Sequence, residues 1–262
     1  MHLKPYCEIS GQGPALALLH GWGLHGGIWQ TILPALEKHF TVYNIDLPGF
    51  GRSGVYNGDY TLDYLAESVQ SVLPEKCYLL GWSLGGVVAT RLTLDYPDQV
   101  EKLILVCANP SFVSRDDWKL GMKMEVLNSF IDFLEEDYEG TLIRFLGIQT
   151  MGSATQKEDI KLLKEAVFLH GQPAKKALRG GLDIFHDINL TPELHNINQP
   201  VLSFYGRLDS MVSSKSAEAL TQYFKDFRSV VYHKSAHAPF LSDSQRFVDD
   251  VCAFLLDNDA TN

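Results

Sequence analysis

The chain has no apolar run approaching the roughly 18 consecutive residues that a membrane-crossing helix needs, so no membrane is expected as a partner. Cysteine is scarce: Cys7, Cys77, Cys107 and Cys252 form no C-x-x-C pair, which argues against a disulfide framework or a zinc site. Two of the four sit in apolar, strand-like runs, as the reduced thiols of a cytoplasmic protein do. Positive charge is short as well, with 22 Lys and Arg against 32 Asp and Glu and a net charge of −10, so nucleic acid is not an expected ligand. Met1-His2-Leu3-Lys4-Pro5 lacks the apolar stretch of a secretory signal, and secretion is not expected. Internal repeats and low-complexity tracts are absent too. What is present is a chain of 262 residues, 45% hydrophobic, long enough for one large domain with an insertion.

One motif carries chemistry. Gly81-Trp82-Ser83-Leu84-Gly85 follows the apolar run Cys77-Tyr78-Leu79-Leu80 and leads into the helix-like stretch Val87-Val88-Ala89-Thr90-Arg91-Leu92. A serine lifted out of a strand must turn sharply into a helix, and glycines two residues before and after it leave room for that backbone. The turn aims the Ser83 hydroxyl into a cleft. It also puts the Leu84 N–H at a helix N-terminus, where an oriented donor and the helix dipole stabilise a developing oxyanion.

A serine alone is a weak nucleophile, so a base and a group to orient it are required. The strand-like Val201-Leu202-Ser203-Phe204-Tyr205 is followed by Gly206-Arg207-Leu208-Asp209, and Ser229-Val230-Val231-Tyr232-His233 by Ala236-His237-Ala238-Pro239-Phe240. Asp209 is therefore expected to hold the His237 imidazole in one tautomer, and His237 to take the Ser83 proton. The second oxyanion donor is assigned to the N–H of Trp22, in the glycine-rich turn His20-Gly21-Trp22-Gly23 that ends the apolar run Ala15–Leu19. His20 and His25 lie nearby, but this loop offers too few ligands for a metal, so a structural or pocket-lining role is assigned to both.

Strand signals at 15–20, 40–46, 77–81 and 102–107 alternate with helical runs near 28–37, 61–73 and 84–95, after a possible edge hairpin before residue 15. From about residue 111 to 190 the strand signals vanish, and apolar residues recur at helical spacing, as in Val126, Leu127, Phe130, Ile131 and Leu134. Strands resume at 200–205 and 229–233, with helices near 213–225 and 243–256. The pattern predicts an α/β fold: a mostly parallel sheet with helices on both faces and a helical cap inserted between strands six and seven. Residues 1–110 and 191–262 are assigned to the core and residues 111–190 to the cap. Cap aromatics and methionines such as Phe112, Trp118, Phe133 and Met151 read as core rather than pocket.

These residues resemble the α/β-hydrolase family over nearly the whole chain, in the order Ser83, Asp209, His237 and in the loop Asp46-Leu47-Pro48-Gly49-Phe50-Gly51-Arg52-Ser53. Within that family the chain is similar to the carboxylesterases of biotin synthesis. The similarity rests on Leu19–Leu24, Leu80–Gly86, Arg144-Phe145-Leu146 with Gln149-Thr150-Met151-Gly152, and Ala236–Phe240; Trp82 and the Phe145–Gly152 segment are its most diagnostic parts. The resemblance implies a serine esterase without cofactor or metal that acts on the methyl ester of pimeloyl-acyl carrier protein. It places Phe145, Leu146, Gly147, Ile148 and Gln149 against the acyl chain. A monomer is the expected state. Alternatives are an esterase or carbon–carbon bond hydrolase acting on a small free substrate, and a binding protein that keeps the fold without turnover, although no triad member is lost.

An acidic carrier must dock on a chain that is itself acidic, which requires a local patch of opposite sign. Residues 111–139 are strongly acidic, whereas residues 140–180 carry Arg144, Lys157, Lys161, Lys164, Lys175, Lys176 and Arg179 against Glu158, Asp159 and Glu165. Lys157 and Lys161 share a helix face, and Arg144 adjoins the acyl-contact segment. These three are the candidate docking residues.

Overall fold

Short apolar runs bounded by turn residues form the strands, here β1 (Cys7–Gly11), β2 (Ala15–Leu19), β3 (Thr41–Ile45), β4 (Cys77–Trp82), β5 (Val100–Val106), β6 (Val201–Gly206) and β7 (Phe227–Tyr232). The computed structural model describes residues 4–55, 57–167 and 169–257. The strands make one sheet in the order β1-β3-β2-β4-β5-β6-β7, with β1 antiparallel to β3 and every other pairing parallel. Helices on both faces bury the inner strands, which is why β2, β4 and β6 read as nearly continuous apolar runs instead of alternating ones.

The helices are α1 (Leu33–Leu36), α2 (Leu62–Gln70), α3 (Leu84–Asp95), α4 (Met124–Glu136), α5 (Tyr138–Thr150), α6 (Gln156–Val167), α7 (Lys175–Asp187), α8 (Ser216–Ala219), α9 (Pro239–Ser242) and α10 (Ser244–Leu256). The helix expected near 28–37 is broken into a 3-10 turn, Gly26–Thr31, and the single turn α1, because Pro34 supplies no N–H to continue the ladder. The four helices α4 to α7 leave the sheet after β5 and return at β6. The cap expected between strands six and seven therefore lies between the fifth and sixth, because the hairpin expected ahead of Ala15 would have added a strand. Among the described residues only β1 lies there, because Gly11 and Gly13, at φ 78° and 126°, turn the chain directly into β2.

Register brings the site's loops to one edge. Leu19 pairs with Gly81, Trp82 with Val106, Val106 with Phe204, and Gly206 with Tyr232, so the carboxyl ends of β2, β4, β5, β6 and β7 are level. Two glycines let the loops beyond those ends approach closely. A Cβ on Gly85 would lie 2.2 Å from the Leu19 carbonyl oxygen, so the first turn of α3 sits directly against the end of β2. A Cβ on Gly206 would lie 1.8 Å from the Ala236 carbonyl oxygen, so the loop after β7 crosses directly over the end of β6.

A polar clamp fixes the loop after β2. His20 donates from Nδ1 to the Gly21 carbonyl at 2.8 Å and accepts from the Leu47 N–H at Nε2, also at 2.8 Å. Only the neutral Nδ1–H tautomer satisfies both, and burial lowers the His20 pKa to about 4 although the Asp46 charge and the Gly21 bond pull it up. Next to it, Asp46 accepts from Gly26 N–H at 2.7 Å and from the Arg52 N–H and Nε–H at 2.9 and 2.8 Å. Burial alone would raise the Asp46 pKa, but these bonds, led by the charged Arg52, hold it below the usual carboxylate range.

Gly206→Ala is expected to destabilise the fold by roughly 1–3 kcal/mol in urea unfolding and to displace the loop carrying His237. Gly147→Ala, where the new methyl meets only Ile160 Cδ1 at 3.8 Å inside α5, should stabilise slightly. His20 binds a proton less readily folded than unfolded. Its contribution is therefore complete above about pH 6.5 and is lost as pH falls toward 4, on the order of 3 kcal/mol in all. Urea midpoints across that window should fall steeply in the wild type and less steeply in His20→Gln.

Candidate active site

Ser83 holds a backbone conformation that non-glycine residues avoid, at φ 53° and ψ −115°. Its N–H donates to the Val106 carbonyl at 3.0 Å, and its carbonyl accepts from Gly86 and Val87, so both sides of the strained turn are hydrogen-bonded. Leu84 is the first residue of α3, where the N–H has no carbonyl a turn earlier to receive it. The candidate nucleophile and oxyanion donor therefore adjoin at one helix N-terminus.

Asp209 and His237 come from separate loops and meet. His237 Nδ1–H donates to Asp209 Oδ2 at 2.7 Å, with both side chains almost completely buried. The other carboxylate oxygen accepts from the N–H groups of Met211 and Val212 at 2.8 and 3.1 Å, which orients Asp209 before it meets the imidazole. His237 Nε2 is buried with no hydrogen-bond partner among the described residues, which leaves it free for the Ser83 hydroxyl and then for a leaving group. The backbone of His237 is bonded on both sides: its N–H donates to the Gln149 carbonyl at 2.9 Å, and its carbonyl accepts from Trp82 Nε1–H at 2.7 Å.

Cys107 is the one further titratable group in this cluster. Among the described residues its thiol, Asp209 and His237 are the only set whose ligand atoms lie within 4.8 Å of one another. Burial, and after it the Asp209 carboxylate, push the Cys107 thiol well above its ordinary pKa, so it stays protonated. A metal here would have to displace that proton and the Asp209–His237 bond together.

Trp22 lies in the loop after β2. Its indole N–H donates to the Leu178 carbonyl of α7 at 2.8 Å and its ring meets Phe145 edge-on, with centroids 4.8 Å apart. No hydrogen bond within the described residues occupies its backbone N–H, the assigned oxyanion donor. The same loop, Gly21-Trp22-Gly23-Leu24-His25-Gly26, has the G-x-G-x-x-G spacing that seats a dinucleotide pyrophosphate on helix N–H groups. Here those donors are taken, Gly26 N–H by Asp46 and Gly27 N–H by His25 Nδ1.

Ser83 lines a wholly apolar cavity with Phe112, Met122, Leu127, Phe130, Phe145, Leu182, Phe185 and Met211. Its volume is about 20 Å³, room for a single water. A larger cavity of about 430 Å³ lies between the α4–α5 turn and α7. It is lined by Glu135, Glu136, Asp137 and Glu139 with Lys175 and Arg179 and has no triad residue, so chemistry and not size identifies the site. Of the five residues expected against an acyl chain, only Phe145 lines the small cavity. Leu146 packs in the core, Gly147 and Ile148 are half-buried, and Gln149 contributes its carbonyl to His237. Phe112 and Trp118 are buried in the core as expected, Phe112 also walling the cavity, whereas Phe133 and Met151 are 47% and 54% exposed. Helical spacing identified Leu127 and Phe130 as inward-facing, but no signal in the chain marked Met122, Phe185 or Met211 as neighbours of Ser83.

Arg144, Lys157 and Lys161 are all exposed, Arg144 on α5 with its guanidinium 5.9 Å above the Phe133 ring, and the lysines on α6. Lys161 is 3.8 Å from Glu165, a loose exposed pair. Arg179, by contrast, is bonded to Asp183 and Glu135, and Lys176 to the Gly58 carbonyl, so these two cations are engaged elsewhere.

Residues 14–244 match the family model described as the alpha/beta hydrolase fold. The chain is 43% identical over 249 residues to the pimeloyl-[acyl-carrier protein] methyl ester esterase of Aeromonas hydrophila, covering 95% of this chain and 98% of that one. It is 41% identical over 254 residues to the enzyme of the same name from Vibrio campbellii, covering 97% and 99%. Among solved structures, an Exiguobacterium antarcticum esterase superposes with a TM-score of 0.85 at 24% identity, covering 96% of this chain and 95% of that one. An Oleispira antarctica hydrolase superposes with a TM-score of 0.87 at 21% identity over 97% and 96%. At those identities the structures speak for the fold alone, whereas the sequence relatives reach further: the chain belongs to the α/β-hydrolase family and, within it, to the pimeloyl-[acyl-carrier protein] methyl ester esterases.

Proposed function

We propose that the protein is a serine carboxylesterase that hydrolyses the methyl ester of pimeloyl-acyl carrier protein, releasing methanol and the free carrier-bound acid for biotin synthesis. Full-length similarity to enzymes named for that reaction supports the substrate. The observation that carries the chemistry is the 2.7 Å bond from His237 to Asp209, with Nε2 left unpaired. In this reading residues 111–190 cap a core of residues 1–110 and 191–262, and the enzyme works as a cytoplasmic monomer.

His237 Nε2 removes the Ser83 proton as Oγ attacks the ester carbonyl, and the oxyanion accepts hydrogen bonds from the Leu84 and Trp22 N–H groups. The imidazolium then protonates the methoxy oxygen. Methanol leaves, the pimeloyl group remains on Ser83, and water repeats the steps with His237 again as base until Ser83 recovers its proton. Asp209 accepts from Nδ1–H throughout. These steps use only protein groups and water.

The apolar walls around Ser83 suit a methylene chain, but their 20 Å³ space does not hold one. The chain must displace side chains on entry, and Met122 and Met211 are the adaptable ones. A carrier too large to enter then rests outside, where Arg144, Lys157 and Lys161 present positive charge on an otherwise acidic protein. Phe133, beside Arg144, adds an exposed apolar contact.

Incubation with pimeloyl-acyl carrier protein methyl ester, followed by mass measurement, should show loss of the methyl group; an unchanged mass would remove the substrate assignment. Ser83→Ala and His237→Ala should each lower turnover by up to about 10⁶-fold, with the double variant little lower, and Asp209→Asn by on the order of 10⁴-fold. Retention of a tenth of wild-type turnover in Ser83→Ala would exclude it as nucleophile. Charge reversal of Arg144, Lys157 and Lys161 together should raise KM for the carrier-bound ester, wild-type efficiency on that ester should fall with salt, and turnover of a small free ester should hardly change. Equal losses on both esters would point to damage to the pocket instead.

A further inference from the structure

We propose that Trp82 is a positioning residue for the base: its indole N–H, bonded to the His237 carbonyl, holds the loop that carries the imidazole in register with Ser83. The inference rests on the reading of His237 as the base. Trp82 is the last residue of β4 and the immediate neighbour of Ser83, so its Cα is fixed by the same pairing with β5 that holds the nucleophile. Its side chain is completely buried and reaches the loop beyond β7, where Nε1–H donates to the His237 carbonyl at 2.7 Å. That loop has no strand pairing of its own. His237 N–H donates to the Gln149 carbonyl of α5, so the two peptide groups flanking the base are tied, one to the insertion and one to the nucleophile's own strand.

The indole ring also reaches the third part of the site. A Cβ on Gly21 would lie 2.9 Å from Trp82 Cε3, so the ring packs against the backbone of the loop that carries Trp22. One rigid side chain thus touches the oxyanion loop, adjoins the nucleophile and bonds the base loop. A Phe or Leu would fill the same volume; a tryptophan adds a buried donor that must find an acceptor, and the one it finds is the carbonyl of the base. The same aromatic cluster holds a natural comparison. Trp29 is equally buried, lies 6.3 Å from Trp82 and 4.6 Å from Phe240 between ring centroids, and its Nε1–H has no partner among the described residues.

Trp82→Phe and Trp29→Phe each remove one indole N–H and a similar volume from one cluster, and only the first removes a bond to the base. For Trp82→Phe, kcat on a small free ester should fall roughly 10- to 100-fold, because a misplacement near 1 Å costs on that order, while KM stays within about twofold. Labelling of Ser83 by a fluorophosphonate should slow to a similar extent, since that attack also uses His237. Trp29→Phe should keep wild-type kcat and labelling even where its thermal midpoint falls as far. Equal kcat losses in the two variants at equal loss of stability, or a wild-type kcat in Trp82→Phe, would overturn the proposal. Should Trp82→Phe not fold, the wild-type protein still decides: its Trp82 indole proton, assigned by elimination against the other three tryptophans, should shift on phosphonylation of Ser83, as fluoride leaves and the Ser83 proton passes to His237, and an unmoved resonance would reject the idea. Activity surviving in His237→Ala would instead reject the reading of the base on which the inference rests.

Discussion

Ser83 at φ 53° and ψ −115° carries a backbone cost on the order of 1–3 kcal/mol, and the surrounding structure is arranged to keep it there. Relaxing the turn would break the Ser83 N–H bond to Val106, and with it the end of the β4–β5 pairing, and would free the first turn of α3 from its cap on the Ser83 carbonyl. Both partners lie in the buried centre of the sheet, where broken backbone bonds find no water. The close seat of Gly85 on the end of β2 adds the oxyanion loop to the same unit. The strained conformation of the candidate nucleophile thus draws on the stability of the central sheet, not on that of a surface loop.

The insertion is bonded into this machinery and does more than cover it. Trp22 donates to the Leu178 carbonyl of α7 and His237 to the Gln149 carbonyl of α5, and from the insertion Ala154 N–H donates to the Lys234 carbonyl at 3.0 Å. His25 donates to the Ala166 carbonyl at the end of α6. Lifting the insertion as a rigid lid would therefore release the loops that hold the candidate base and one proposed oxyanion donor. α4 is different: it packs mainly on α5 and α7, contributes Leu127 and Phe130 to the cavity, and leaves Val126 and Phe133 exposed on its outer face. α4 thus shares none of the bonds that tie the insertion to those loops, although Glu135 ties it to Arg179 of α7.

Charge shows the same separation between what is spent inside the protein and what faces outward. Arg52 is committed to Asp46 and Glu8, Arg91 to Asp95 and Glu193, and Arg179 to Glu135 and Asp183. Arg144 and Lys157 have no ion pair among the described residues, so on a protein of net charge −10 they stand out more than composition indicates.

The six parallel strands were legible in the chain, as was the order of the candidate nucleophile, acid and base, because each depends on neighbouring residues: a run of apolar side chains, two glycines around Ser83, a turn just beyond a strand. The 3-10 break before α1 was written there too, in Pro34, though the apolar period masked it. The cavity was not legible. Its walls come from residues as far apart as Phe112, Leu182 and Met211, and helical spacing says that a side chain faces inward without saying whether it meets another side chain or an open space. For the same reason Phe145 alone among its segment reached the cavity, and Phe133 stayed in solvent. The amino-acid sequence by itself determined the strained elbow and the identity of the candidate reacting groups, since local backbone geometry and side-chain chemistry belong to adjacent residues. Only the tertiary structure decided that Asp209 meets His237, that Trp82 bonds the base loop, and which side chains enclose Ser83, because those depend on how distant segments close against one another around the ends of the sheet.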